Sequence, residues 1–164
     1  MITRNLAELS VKILVPYDGS EYSNRAVRQT VDYAKLLSKD AEIILMYALP
    51  KIHFPPSYDY GMRISYVKST KEYQKELYQE MKMRASEMLN QKKDEFKFAG
   101  IKNVTTRVSI GNPIEKILNL ASAEKVDLIV IGSVGLSGIS KLKALGSVSR
   151  SVSERARCPV LIVR

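Results

Sequence analysis

Short apolar runs alternate with longer amphipathic stretches along this chain. Val11 to Val15 is the first run, with Lys12 near its edge, and it ends at Pro16-Tyr17-Asp18-Gly19-Ser20. Ala41 to Ala48 is a second, nearly continuous apolar run. Val104 to Ile110 alternates apolar and polar residues, Leu128 to Ile131 is apolar throughout, and Pro159 to Val163 closes the chain. Each has the length and β-branched content of a strand. Between them the spacing becomes helical. Ser20 or Ser23 caps a predicted helix to about Leu37, with Ala26, Val27, Thr30, Val31, Ala34 and Leu37 on one face. Ser69 opens a long helix carrying Tyr73, Leu77, Met81, Met88 and Leu89, which ends before Gly100. Asn112-Pro113 starts a third, to about Glu124, because proline suits a first helical turn. A fourth lies near Ser147 to Arg155. Leu49 to Tyr66, with Pro50, Pro55, Pro56 and Gly61, reads as a loop.

Buried strands alternating with helices predict an α/β fold, a parallel sheet covered on both faces in three layers. At 164 residues the chain is expected to be one domain, 1–164, with residues 1–10 as an N-terminal extension. Ligands of such sheets sit at the carboxyl ends of the strands, where the strand order reverses. With five strands in the order 3-2-1-4-5, the reversal falls between the first strand and the fourth. Asp18 follows the one and Gly132 ends the other, so two separate features meet in one crevice.

The second of these features is the richer one. Val130-Ile131-Gly132-Ser133-Val134-Gly135 runs from strand into loop, and Gly146-Ser147-Val148-Ser149 opens a helix. Glycine lets a backbone approach a ligand closely, and the free N–H groups of a helix start attract phosphate oxygens. The segment therefore reads as a mononucleotide phosphate cradle, with the N–H groups of Gly146 and Val148 and the hydroxyls of Ser147 and Ser149 as donors. Taken singly, each part has a plainer reading. Asp18-Gly19-Ser20 makes an ordinary turn and helix cap, Gly132 and Gly135 ordinary turn glycines, and Ser147 an ordinary cap. No G-x-x-x-x-G-K-[S/T] loop and no G-x-G-x-x-G after the first strand is present.

Charge changes this picture little. Lys and Arg number 26 against 17 Asp and Glu, for a net +9. Most of these cations alternate with acids, as in Lys68 to Glu95, and no run of five like charges occurs. Lys141 and Lys143 differ, lying inside the glycine segment. There is no Trp, and the nine Tyr are scattered rather than set along a basic stripe, so a nucleic-acid partner ranks last. Apolar runs are too short to span a bilayer, Met1 to Ser10 has no signal-peptide core, and the one cysteine, Cys158, forms no intramolecular disulfide. A cytoplasmic protein without membrane contact is expected. One His, His53, and one Cys assemble no catalytic triad or metal cluster.

Val15-Pro16-Tyr17-Asp18-Gly19-Ser20, Gly111-Asn112-Pro113, Val126 to Ser133, Gly146-Ser147-Val148-Ser149 and Cys158 to Val163 together resemble the universal stress protein family, of the single-domain, ATP-binding kind. The resemblance covers nearly the whole chain. It implies an adenine nucleotide alpha hydrolase-like, Rossmann-like fold with the same five-stranded order. It implies a cofactor, ATP or its relatives AMP and ADP, with Mg²⁺ or Mn²⁺ held chiefly through phosphates and Asp18 as the one candidate protein ligand. Carried over by position, Pro16, Tyr17 and Asp18 flank adenine and ribose. Tyr47 stands where the family has a small apolar residue against the base, and Ile131 and Gly132 touch adenine or ribose. Gly135, Gly146, Ser147, Val148 and Ser149 hold phosphates. Ten residues separate Gly135 from Gly146 where the family pattern has nine, an excess expected to bulge the loop around Gly138 to Lys143. The resemblance points to a stress-response sensor or regulator with at most slow ATP hydrolysis, and to a homodimer through the C-terminal strand, whose Val160 to Val163 edge carries no charge. A dedicated ATPase or phosphotransferase and a nucleic-acid-associated protein are the alternatives.

Overall fold

The structure is a computed structural model that describes residues 10–37, 41–52, 70–136 and 145–164. His53, Ser69, Gly138, Lys141, Lys143, the expected bulge and most of the N-terminal extension lie outside the described residues. Strands β1 (Lys12–Pro16), β2 (Glu42–Leu49), β3 (Val104–Ile110), β4 (Leu128–Gly132) and β5 (Val160–Val163) form one sheet. Its order is β3-β2-β1-β4-β5, and every pairing is parallel. Helices α1 (Glu21–Leu37), α2 (Thr70–Phe98), α3 (Pro113–Ala123) and α4 (Ser147–Arg155) connect the strands. This is the three-layer α/β fold expected from the apolar pattern, with the strand order that the family resemblance implies.

Period-2 alternation sorts the strand residues onto two cores. Ile13, Val15, Ile43, Leu45 and Val130 face α1 and α2, where Ala26, Val27, Ala34, Leu89 and Phe96 complete the packing. Leu14, Ile44, Met46, Ile129 and Ile131 face α3 and α4, meeting Ile117, Ala121 and Val152. Burial on both faces is why β1, β2 and β4 read as continuous apolar runs rather than as alternating ones. Tyr73 departs from expectation. It shares the helical spacing of the α2 apolar positions but is exposed, and the buried α2 residues Ala85, Leu89 and Phe96 all lie in its second half.

Local chemistry sets the element ends. Ser20, not Ser23, caps α1: its hydroxyl accepts from Ser23 N at 3.1 Å, and the Ser23 hydroxyl donates back to Ser20 O. Asn112 caps α3 through its side chain, accepting from Ile114 N and Glu115 N, with Pro113 in the first turn. Pro159 falls outside β5, having no N–H for the ladder, although its carbonyl accepts from Ile129 N at 3.0 Å.

Candidate functional site

At the carboxyl end of the sheet, over the reversal between β1 and β4, lies a cavity of about 370 Å³. All eleven residues singled out from sequence line it: Pro16, Tyr17, Asp18, Tyr47, Ile131, Gly132, Gly135, Gly146, Ser147, Val148 and Ser149. So do Ser20, Ser23, Met46, Ala48, Pro113, Ile117, Val134 and Leu136, which sequence reasoning did not assign. One apolar wall is made by Met46, Ala48, Ile117 and Ile131, all of the α3 face. Pro113 and Ile117 reach it because α3 crosses back from the edge strand β3 toward β4, beneath β2. The Gly111-Asn112-Pro113 helix start was the available signal, but only the crossover brings it over the switch point.

The end of β2 offers main-chain groups to this wall. Tyr17 N donates to Met46 O at 2.8 Å, so Met46 points its peptide groups at β1. Gly111 N donates to Leu49 O at 2.9 Å, so Leu49 points the other way. Strand alternation then turns the N–H and C=O of Ala48 toward the β1 side, beyond the last β1 residue, Pro16. A half-buried peptide group in such a position is open to a hydrogen-bonding partner.

Asp18 joins the two loops of the crevice. Its Oδ1 accepts from Ser20 N at 3.0 Å, and its Oδ2 accepts from Leu136 N at 3.1 Å. The carboxylate thus ties the β1 loop to the β4 loop, 118 positions away.

The phosphate end differs in detail from the sequence expectation. Gly146 N–H is not free, since it donates to Ser133 O at 2.8 Å. The Ser149 hydroxyl is buried and donates to Ser133 O at 2.8 Å, with Gly146 O 3.0 Å away. Gly146, not Ser147, is the N-cap of α4 and brings no side chain to the helix start. The first helical bond is Arg150 N to Gly146 O. The N–H groups of Ser147, Val148 and Ser149 are therefore the ones left without a helical acceptor, beside the exposed Ser147 hydroxyl.

The glycines, too, have a different physical reason from close approach to a ligand. A Cβ at Gly132 would lie 2.7 Å from Tyr22 C and 2.8 Å from Ser23 N, inside the start of α1. At Gly135 it would meet Asp18 Oδ2 at 2.7 Å, and at Gly146 Ser133 O at 3.2 Å. These glycines let the walls of the cavity close on one another.

Two aromatic assignments change as well. The Tyr17 ring is buried in the α1/α2 core, its hydroxyl donates to Asn24 Oδ1 at 3.0 Å, and Lys92 Nζ stands 5.7 Å from the ring centroid. Burial pushes its phenol pKa up, with Glu95 adding to the rise and Lys92 and Asn24 opposing it. Tyr47 packs on that same core, whereas the flanking Met46 and Ala48 face α3, so the strand pleat directs its ring away from the apolar wall. Among the described residues no group of three or more His, Cys, Asp or Glu is placed to hold a metal ion.

A parallel α/β sheet with a cavity at its switch point defines a doubly wound, Rossmann-like protein. The sequence pattern of the universal stress protein family matches residues 11–164, and the chain belongs to that family. It is 38% identical over 153 residues to a universal stress protein of Mycobacterium tuberculosis, covering 92% of this chain and 94% of the relative. Among solved structures it is similar to the universal stress protein UspA of Lactobacillus plantarum (TM-score 0.77, 24% identity, 94% of this chain and 98% of that one). A universal stress protein solved in complex with cAMP is also similar (TM-score 0.61, 28% identity, 94% and 96% covered).

Proposed function

We propose that this chain is an adenine-nucleotide-binding stress-response sensor or regulator, with ATP as its ligand. The observation that carries the reading is the composition of the one cavity at the switch point. It has an apolar wall for a base, a carboxylate for ribose, and an uncapped helix start for phosphates. The base lies against Met46, Ala48, Ile117 and Ile131, with the Ala48 peptide groups available to its polar edge. Asp18 accepts from ribose hydroxyls, exchanging its bond to Leu136 N for them. The N–H groups of Ser147, Val148 and Ser149 meet the phosphates, helped by the Ser147 hydroxyl. Mg²⁺ or Mn²⁺ is held through the phosphates, which suits a cation that keeps much of its own hydration. The similar protein solved with cAMP supports an adenine nucleotide. Among the described residues that line the cavity none is histidine or cysteine, and Asp18 already accepts two hydrogen bonds. Binding rather than efficient turnover is therefore the function proposed, in the cytoplasm.

Calorimetry with ATP and Mg²⁺ tests this. Saturable binding is expected, weakened at least about tenfold by Asp18→Ala, the loss of one charge-assisted contact. Absence of heat at millimolar ATP in the folded wild-type protein overturns it.

We also propose a homodimer through β5. Among the described residues this strand ends the sheet and pairs with β4 alone, and it leaves Val160, Leu161, Ile162 and Val163 all half-buried. A two-fold axis beside it lets two copies pair their edges and hide both. Light scattering is expected to give twice the 18.5 kDa chain mass, and Leu161→Lys to give the monomer. A monomeric wild type at micromolar concentration rules the contact out.

A further inference from the structure

A second cavity, of about 500 Å³, opens at the opposite end of the sheet, between the C-termini of α3 and α4. Its floor is apolar, formed by residues such as Leu118, Val126 and Ala156 on the α3/α4 core. Lys125, Arg155 and Arg157 stand around it, exposed, and among the described residues that line it none is acidic. Among the described residues no salt bridge engages any of the three. Of the neighbouring carboxylates, Glu124 pairs with Lys12 at 3.6 Å, and Asp127 accepts from Lys12 N at 2.9 Å while also acting on Cys158 at the cavity floor.

Lys125 gives this cluster its weight. It is the only residue other than glycine with positive φ, 51°, among the described residues. It follows α3 in a Schellman arrangement, with Val126 N bonded to Ala121 O and Lys125 N to Ser122 O. The end of α2 is the same motif, with Ile101 N on Phe96 O and Gly100 N on Lys97 O, and there the left-handed position is held by Gly100 at φ 90°. A lysine in that conformation is strained where glycine is not. It also sets a cation at the C-terminus of α3, which has no basic residue in its last turn, as Lys97 does for α2. Its side chain stands exposed at the cavity beside Arg155 and Arg157.

We propose that this cavity docks an acidic peptide segment of a partner protein, seating an apolar side chain on the floor and pairing its carboxylates with Lys125, Arg155 and Arg157. The floor favours a peptide over a nucleic acid, since phosphates engage only the cations and none of the described lining residues is aromatic, so a base has nothing there to stack on. The net charge of +9 draws acidic segments toward the surface. The site is independent of the nucleotide reading.

Fluorescence anisotropy with a labelled Glu-Asp-Leu-Glu-Glu peptide tests the proposal on the whole chain. Saturable binding is expected, lost when Gln and Asn replace the acids and weakened about tenfold by Arg157→Glu. Lys82→Glu, a charge change on α2 away from the cavity, is expected to leave it unchanged. Lys125→Gly is expected to weaken binding while the melting temperature holds or rises, which separates lost recognition from lost folding. Four results overturn the proposal: no binding at millimolar peptide, equal weakening by Lys82→Glu, a lower melting temperature for Lys125→Gly, or tighter binding of an RNA oligonucleotide abolished by the same variants.

Discussion

The two ends of the sheet solve opposite problems. At the carboxyl end three glycines let main chain and carboxylate come within contact: Gly132 against α1, Gly135 against Asp18, Gly146 against Ser133. Hydrogen bonds then stitch the loops, through Asp18 to Leu136 N and through Gly146 N to Ser133 O. At the amino end a position that suits glycine carries Lys125, and the charges around it have no partner among the described residues. Close approach shapes the first cavity and charge shapes the second. Gly132, Gly135 and Gly146 therefore mark where the chain folds closely against itself, whereas Lys125 leaves its charge exposed at the rim of a cavity.

Gly132→Val breaks the comparison most severely. Its side chain must displace the backbone of Tyr22 and Ser23, so α1 shifts off β4. Stability is expected to fall by about 3 kcal/mol, read as a melting temperature lower by roughly 6–12 °C. Nucleotide affinity drops as a consequence of that shift. An unaltered melting temperature would return Gly132 to the role of a ligand-facing glycine.

Lys125→Gly has a smaller effect of opposite sign. Relief of the left-handed strain is expected to raise stability by about 0.5–1 kcal/mol in thermal or urea unfolding, part of the gain being offset by the flexibility of glycine in the unfolded chain. The two substitutions together show that inserting a side chain at one end costs the fold what removing one at the other does not.

The smallest effect concerns Cys158, on the floor of the second cavity. Burial pushes its thiol above the ordinary value of 9.0, and Asp127 adds to the rise, against a backbone hydrogen bond that lowers it. The native thiol keeps its proton where the unfolded chain has begun to lose it. Its contribution to stability is therefore complete below pH 9 and is lost as the pH rises through the folded-state pKa. Iodoacetamide at pH 8.5 is expected to react more slowly with native protein than with protein in urea. Equal rates would place the thiol in free solvent.

The strand and helix sequence was legible from periodicity alone. Val104 to Ile110 matches β3 residue for residue, the helix expected near Ser147 to Arg155 is α4, and all eleven candidate residues line one cavity. Apolar spacing is a local property, and a parallel sheet covered on both faces has few orders that place Asp18 beside Gly132. The roles of individual groups were not legible. The Ser149 hydroxyl and the Gly146 N–H look free in sequence and are both occupied at Ser133 O, across a loop. Tyr47 looks like a wall for a base, and the pleat turns it to the other core. Ala48, Pro113 and Ile117 carry no motif at all and reach the cavity through the crossover of α3.

Taken by itself, the sequence determined which segments are strands and which are helices, because these follow from the spacing of apolar residues and from caps within a few positions of each other, while the strand order and its reversal came only with the family resemblance. Only the tertiary structure decided which N–H groups remain free, why each glycine is a glycine, and that Lys125 stands with Arg155 and Arg157 at the far end of the sheet. Those depend on pairs such as Asp18 and Leu136, distant in the chain and joined only once the two faces of the sheet are packed.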